Sequence, residues 1–505
     1  MGANHTITYT AQYRTGGAWV NFPGLLRVRT RVESADGGGG PFRFGGSVLP
    51  FAEIECGPGA PAAGWYRAPF RASIQVTVDG VAFPAEEVFT GLLTRRRPGP
   101  WGVTFEAAGA EGWVRKARVR TPLREWRQLA TQTTLTSVEN PAAAGYPGGL
   151  LNEIFWKAGG RPDAQRGSYP TARFFYACDG TSAAPEYSWI DGDNAWEQAL
   201  RFAEAAGGQI YQDSRGILRY VNPLLLAESS PSPLIVRDQG PHGSGVILYD
   251  GQVEVEEDLE AAYNAAVCRF QRRAIQPPQD VYSAADHFDI EPSGSRPRDL
   301  ATTWPVRWRN EAGAVDYRIT VVACYDDGTP VTPTVTVTEE SAMALAVSIA
   351  NPSSSRPIHI SKITVVGRPV TVLEEGIARY VGPRFDANAD EDVEIRLNDS
   401  EYTQREGAAM RRARMAVVFD GTPRPVYRVR GAFYLPGVTV GQYALFSAAR
   451  LSLVNVPCRI VDQELEDNGK TMSLALASVA GLPRLSERFV IGQTYADGDI
   501  RRVGL

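Results

Sequence analysis

Residues Trp189–Pro223 read WIDGDNAWEQALRFAEAAGGQIYQDSRGILRYVNP, a pattern that predicts a compact helix followed by a tight hairpin. Trp196, Ala199, Leu200 and Ala203 recur at i, i+3, i+4 and i+7, which makes one helix face apolar and marks it as the core of a small module. Asp193 or Asn194 is placed to cap the start, Glu197 and Arg201 stand one turn apart, and Gly207-Gly208 ends the helix. QIYQ and ILRYV then flank DSRG, the mark of a hairpin. GLLNEIFWKAGG (Gly149–Gly160) predicts a second helix, so this part of the chain is an α+β module.

Outward from it the sequence reads as strands. LLRVRTRVES sets Leu26, Val28, Thr30 and Val32 against Arg27, Arg29, Arg31 and Glu33, and ASIQVTVDG does the same with Ile74, Val76 and Val78. EEVFTGLLTRRR and WGVTFEAAGAEGW continue the alternation across a Gly-Pro turn. Later, AMALAVSIANPSS places Met343, Leu345, Val347 and Ile349 on one side. A third helix is predicted over TQREGAAMRRARMAVVF, with Thr403 and Glu406 as a capping box and Ala409, Met410 and Ala413 facing inward. Near the end, Asn468-Gly469 predicts a two-residue hairpin turn. At 505 residues the chain is too long for one core, and its 50 glycines and 35 prolines punctuate many short strands. The expected fold is mainly β and multi-domain, α+β overall. It comprises an N-terminal β-barrel over 1–122 and the α+β module over 123–224. A β-rich, sandwich-like domain over 225–395 partly returns to the first barrel, and a helix with a C-terminal β-barrel fills 396–505.

Little in the sequence marks chemistry. A formal charge of −5 argues against a nucleic-acid binder as a whole. Five scattered cysteines, with no CxxC pair, read as small buried hydrophobes. DGDN at Asp191–Asn194 resembles the start of a calcium loop, but its fifth and twelfth positions are Ala195 and Phe202. DANADED, with Asp386, Asn388 and Asp390, fails at Glu391 and Leu397. The four histidines, His5, His242, His287 and His359, lack metal-ligand spacing, and no GxSxG elbow is present. No catalytic, cofactor-binding or metal-binding residue is assigned, so the expectation is a protein that is not an enzyme and holds no cofactor. No apolar run reaches membrane-spanning length, so no stable membrane association is expected.

The helix–Gly-Gly–strand–acidic turn–strand segment AWEQALRFAEAAGGQIYQD…RGILRYVNP resembles a recurrent segment of tailed-phage baseplate or tail-tip hub proteins. VFTGLLTRRR resembles a strand of that family's first barrel, and IANPSSSRPIHISKITVVGRPV the segment before its final helix. YTQREGAAMRRARMAVVF and PVYRVRGAFYLPGVTVGQYALF resemble its last helix and second barrel, in the same order. Residues 265–340 match least. The resemblance implies a structural protein of the virion tail tip, assembled in the host cytoplasm. It implies a homotrimer whose two barrels per chain form a pseudo-sixfold ring. That ring joins a distal tail or tail-tube hexamer to a central spike or fibre, holds the end of the tape-measure protein, and passes DNA in transit during ejection. An acidic lumen would let DNA slide. VEVEEDLEA (Val253–Ala261) suggests Glu254, Glu256, Glu257 and Asp258 as such a lining, against the alternative of a solvated outer face. Trp196, Leu200 and Ala203 are assigned to the module core. Two other readings stay open. One is a carbohydrate-active enzyme or receptor-binding lectin, with Trp189 and Trp196 near Asp191 and Asp193. The other is the hub of a gene transfer agent or contractile injection particle.

Overall fold

The computed structural model describes residues 5–34, 47–61, 63–78, 81–82, 84–121, 123–125, 150–169, 172–178, 185–213, 215–221, 232–241, 245–249, 252–257, 262–310, 313–382, 392–421, 423–433, 435, 437–466 and 471–482. The architecture is mainly β, with several sheets and several separate cores. Its largest sheet joins the two ends of the chain. Strand Leu25–Ser34 pairs with Leu453–Glu466 through Thr30 opposite Leu465, and Arg29 is ion-paired to Glu464, 435 positions away. One hydrophobic cluster runs beneath both ends, from Val28, Ile54, Phe70 and Phe105 to Phe446, Ile460 and Leu476. Each such fully buried side chain contributes about 1.5–3 kcal/mol over leaving it exposed.

In the N-terminal part, the pairings run in the order Ala18–Asn21, His5–Thr15, Pro69–Val78, Glu86–Gly99, Gly102–Ala108, Ser47–Cys56 and Leu25–Ser34. Among the described residues no pairing joins the two ends of this curled sheet. Gly91 is required at its place: a Cβ there would lie 2.0 Å from the Ala108 carbonyl oxygen across the strand pair. Val28, Thr30, Ile74 and Val76 point inward as the alternation predicts. Leu26 does not. The ladder slips between Leu25 and Arg27, so this bulge turns Leu26 outward, 63% exposed, while Leu25 takes the inward place.

At the C-terminal end, Leu453–Glu466 pairs with Thr471–Ser478 and Tyr443–Ala448; these lead to Val426–Phe433 on one side and to Leu234–Arg237 and Val246–Leu248 on the other. A single bridge between Tyr249 and Ala432 brings the two branches together. Strands Leu234–Arg237, Val246–Leu248 and Val253–Glu256 therefore build the same body as the last strands. The Asn468-Gly469 turn lies outside the described residues, and its flanking strands pair as far as Glu466 with Thr471.

The module carries the helices. Leu150–Lys157 is α2, after a short turn α1 at Glu111–Val114, and Ala195–Ala206 is α3. They pack on Phe174–Cys178 and Ile217–Val221, which pair in parallel, and on the antiparallel hairpin Gln209–Gln212/Ile217–Val221. Gln209–Gln212 also pairs with Ser47–Cys56, which fastens the module to the N-terminal sheet.

A long ribbon, Ala265–Ile275 with the 24-residue strand Ile358–Val381, carries the remaining lobe. Helix α4, Glu406–Phe419, covers its inner end. At its outer end lies an independent core of Phe288, Ile290, Leu300, Leu345, Val347, Ile349, Ile360 and Val365. Met343, expected on the buried side, sits instead in the turn before Ala344–Ala350, because the strand begins one residue later. The capping box at α4 is absent as well. Arg405 is the N-cap without a side-chain cap, and the Thr403 hydroxyl accepts from the buried Arg412 at 3.4 Å.

Candidate functional site

The opening stretch forms a joint. Asn194 Oδ1 accepts the Trp196 N–H at 2.9 Å and the Glu197 N–H at 3.4 Å, satisfying two orphan donors of α3, while its amide donates to the Arg115 carbonyl at 2.7 Å. Gly207 closes the helix with φ of +71°. Asp191–Asn194 is a strand paired with Arg118–Arg120 rather than a cation loop. Asp193 accepts from Gln198 at 2.8 Å, and Asp191 faces Arg120 at 3.7 Å. Burial pushes the Asp191 carboxyl up, and Arg120 opposes the shift. Trp196 and Ala203 are buried in the module core, and Leu200 packs against its margin. Arg201, expected beside Glu197, reaches Glu401 at 3.5 Å.

Polar contacts tie this joint to α4. The Tyr402 hydroxyl donates to Gln198 Oε1 at 2.7 Å, and its ring stacks on Phe202 with centroids 3.6 Å apart. The Arg412 side chain, 2% exposed, is ion-paired to Glu204 of α3. Trp189, one of the aromatics a glycan site would need, lies under the Arg273 guanidinium at 4.8 Å. With Trp196 in the core, the two do not line a shared groove with Asp191 and Asp193.

The acidic strand is arranged differently from a bare lining. Val253–Glu256 pairs with Val426–Phe433 and is an edge among the described residues. Glu254 binds Arg430 at 3.2 Å and Glu256 binds Arg428 at 2.9 Å, diagonally across the ladder. The surface is a ladder of both signs, followed by exposed Glu257. Asp258 lies outside the described residues, as do Asp386, Asn388 and Asp390.

Other titratable groups among the described residues are held as follows. His359 Nδ1 bonds Asp289 and its Nε2 lies 2.6 Å from Asp326. The two carboxylates sit on the two ring nitrogens, and their hydrogen bonds raise the imidazole pKa, Asp289 most. Among the described residues no group of His, Cys, Asp and Glu could hold a metal ion. Burial pushes the Cys56 thiol up to about 11 and Cys458 up to about 12, and the five cysteines form no disulfide with one another. Glu111 is 5% exposed, and burial pushes its carboxyl up to about 7. Among the described residues its Oε2 has no hydrogen-bond partner, and it converges with Gln212 Oε1 above Gly109, where the N-terminal sheet meets the module. A groove of about 430 Å³ lies over Phe270 and Gly376; its acids Asp399, Glu375 and Glu401 are engaged by Arg269, Gln271 and Arg201. No described helix is long and apolar enough to cross a membrane.

The chain matches no protein-family model and no curated protein. Three solved structures align along most of it. The 43 kDa tail protein of prophage MuSo2 from Shewanella oneidensis has 10% identity and a TM-score of 0.42, over 94% of this chain and 99% of that one. The tail protein from Neisseria meningitidis MC58 has 12% identity and a TM-score of 0.43, over 94% and 98%. Prophage tail protein gp18 from Listeria monocytogenes EGD-e has 8% identity and a TM-score of 0.41, over 93% and 94%.

Proposed function

We propose that the chain is a structural subunit of a phage-type tail and acts as its tip hub. The observation that carries this reading is the order of the hub-like sequence segments, together with the body they build. Strands from both ends of the chain form one sheet over one core, a stiff double β-body suited to bearing load between neighbouring rings. Its edges are open at Ala18–Asn21 and at Val253–Glu256 among the described residues, and open strand edges are natural places for subunits to pair. In this reading three copies form the ring. It meets a distal tail or tail-tube hexamer on one side and a spike or fibre on the other, holds the tape-measure end, and passes DNA. Should the Val253–Glu256 strand face the channel, DNA meets paired charges of both signs, with Glu257 supplying the excess negative charge.

Native mass spectrometry of the purified chain, with and without Val255→Pro, tests the assembly. The reading predicts a trimer that the proline variant, unable to donate from the edge strand, converts to monomer. A trimer unaffected by the proline places the contact elsewhere on the body. A monomer at every concentration up to the solubility limit contradicts self-assembly through this chain alone.

A further inference from the structure

The lobe built on the long ribbon is attached to the rest of the chain in an unusual way. Its core, from Phe288 to Val365, shares no member with the other hydrophobic clusters. The polypeptide enters and leaves it through two adjacent strand segments: Ile275 pairs with Val370, and Gln276 donates to the Pro369 carbonyl at 2.8 Å. Just inside this point the ladder slips between Arg272 and Arg273, and such a bulge bends a two-stranded ribbon. Further out, the side of the lobe touches the module again. Arg120 reaches Asp299 at 3.2 Å, and the Ala342 N–H donates to the Thr121 carbonyl at 3.0 Å. Arg120 and Asp299 are half exposed, at 46% and 50%.

We propose that this lobe, residues 277–368, is a swinging arm hinged at the Arg272–Arg273 bulge and latched to the module by Arg120. The latch is shared: Arg120 stands between Asp299 of the lobe and Asp191 of the module, at 3.2 and 3.7 Å. When the arm leaves, Arg120 keeps a carboxylate partner, so opening does not strand its charge. An exposed ion pair is worth little and is screened by salt, while the lobe's own core stays intact through the motion. Among the described residues the two bodies are joined by two strands, and beyond the bulge they touch through one exposed ion pair, one backbone hydrogen bond and the stacking of Arg273 over Trp189, an arrangement that suits a hinge. The inference does not depend on the assembly role proposed above.

The Ala342 amide reports the latch directly, because its acceptor lies on the other body. Hydrogen exchange of the full chain, read by mass spectrometry over the Ser341–Met343 turn, measures how often the contact opens. Asp299→Arg places two guanidiniums face to face and is expected to lower protection of that turn by up to about fivefold, the range an exposed pair supports. Salt at 1 M is expected to lower it in the wild-type chain. Asp191→Asn, which removes the competing carboxylate, leaves protection at or above the wild-type value. Throughout, the amides of Ala344–Ala350 inside the lobe keep their protection. Unchanged exchange at the turn in both Asp299→Arg and high salt overturns the proposal, since the lobe is then rigidly docked. Loss of protection along Ala344–Ala350 in step with the turn also overturns it, since the event is then unfolding of the lobe.

Discussion

Removing the carboxylate of Glu204 is the sharpest test of how the module and the last helix are joined. Arg412 is 2% exposed and Glu204 is 22% exposed, so the two partners are not equally able to fall back on water. With Glu204→Leu, the guanidinium stays buried beside weak acceptors among the described residues: Thr403 Oγ1 at 3.4 Å and Cys268 Sγ at 3.7 Å. Removing one member of a buried pair costs about 3–5 kcal/mol. Arg412→Met removes the buried charge, keeps much of the volume, and leaves a carboxylate that reaches solvent, so about 1–2 kcal/mol is expected from lost packing and hydrogen bonds. The double variant should recover most of the difference, because neither charge is then buried. Hydrogen exchange over α3 and α4 is the assay of choice, since a chain with several cores does not unfold as one unit. Equal losses in the two single variants, or a larger loss for Arg412→Met, would refute the reasoning about which partner is stranded.

Further predictions concern stability. Asn194→Ala removes the α3 cap and should cost about 1 kcal/mol in the opening free energy of that helix, measured by exchange. Gly91→Ala forces a methyl to 2.0 Å from a backbone oxygen, and hydrogen exchange along Glu86–Gly99 and Gly102–Ala108 should show a loss of at least about 2 kcal/mol from strain in the N-terminal sheet. Glu111 has a folded pKa of about 7, above its unfolded value. The folded state therefore binds the extra proton between about pH 4.5 and 7, and stability falls as pH rises through that window, by roughly 3 kcal/mol in all. Glu111→Gln should flatten this dependence and exceed wild type at pH 8, as read by hydrogen exchange over α1 at pH 5 and 8, corrected for the intrinsic exchange rate. His359 acts in the other pH range: its pair with Asp289 and Asp326 is present below the unfolded pKa and lost as pH rises through the raised folded one. Exchange of the turn after Arg318–Cys324 should quicken accordingly.

How much of this was legible in the sequence depended on the range of the cause. The α3 helix, its Asn194 cap and its Gly207 stop are local effects, and each was readable from neighbouring residues. Val28, Ile74 and Leu345 announced their inward faces by alternation. Leu26 misled because a bulge is set by the partner strand, not by the strand that carries it. Thr403 matched a capping box, but the need of a buried arginine for acceptors prevailed over the helix end. A sequence pattern scores Arg412 as surface, and Glu204, 208 positions earlier, supplies the carboxylate that makes its burial tolerable. The same limit hid the charge ladder. Glu254 and Glu256 read as an acidic strip until Arg428 and Arg430 are brought alongside them. Arg120 and Asp299 are 179 positions apart, and no spacing rule connects them.

The proposal that three copies of this chain form a ring around a channel is tested most directly by negative-stain class averages of the purified full chain, taken at the concentration where its mass is measured. The account predicts threefold particles with an axial opening and two β-bodies per copy around the rim. Compact particles without symmetry or opening, at a mass of one chain, would contradict it.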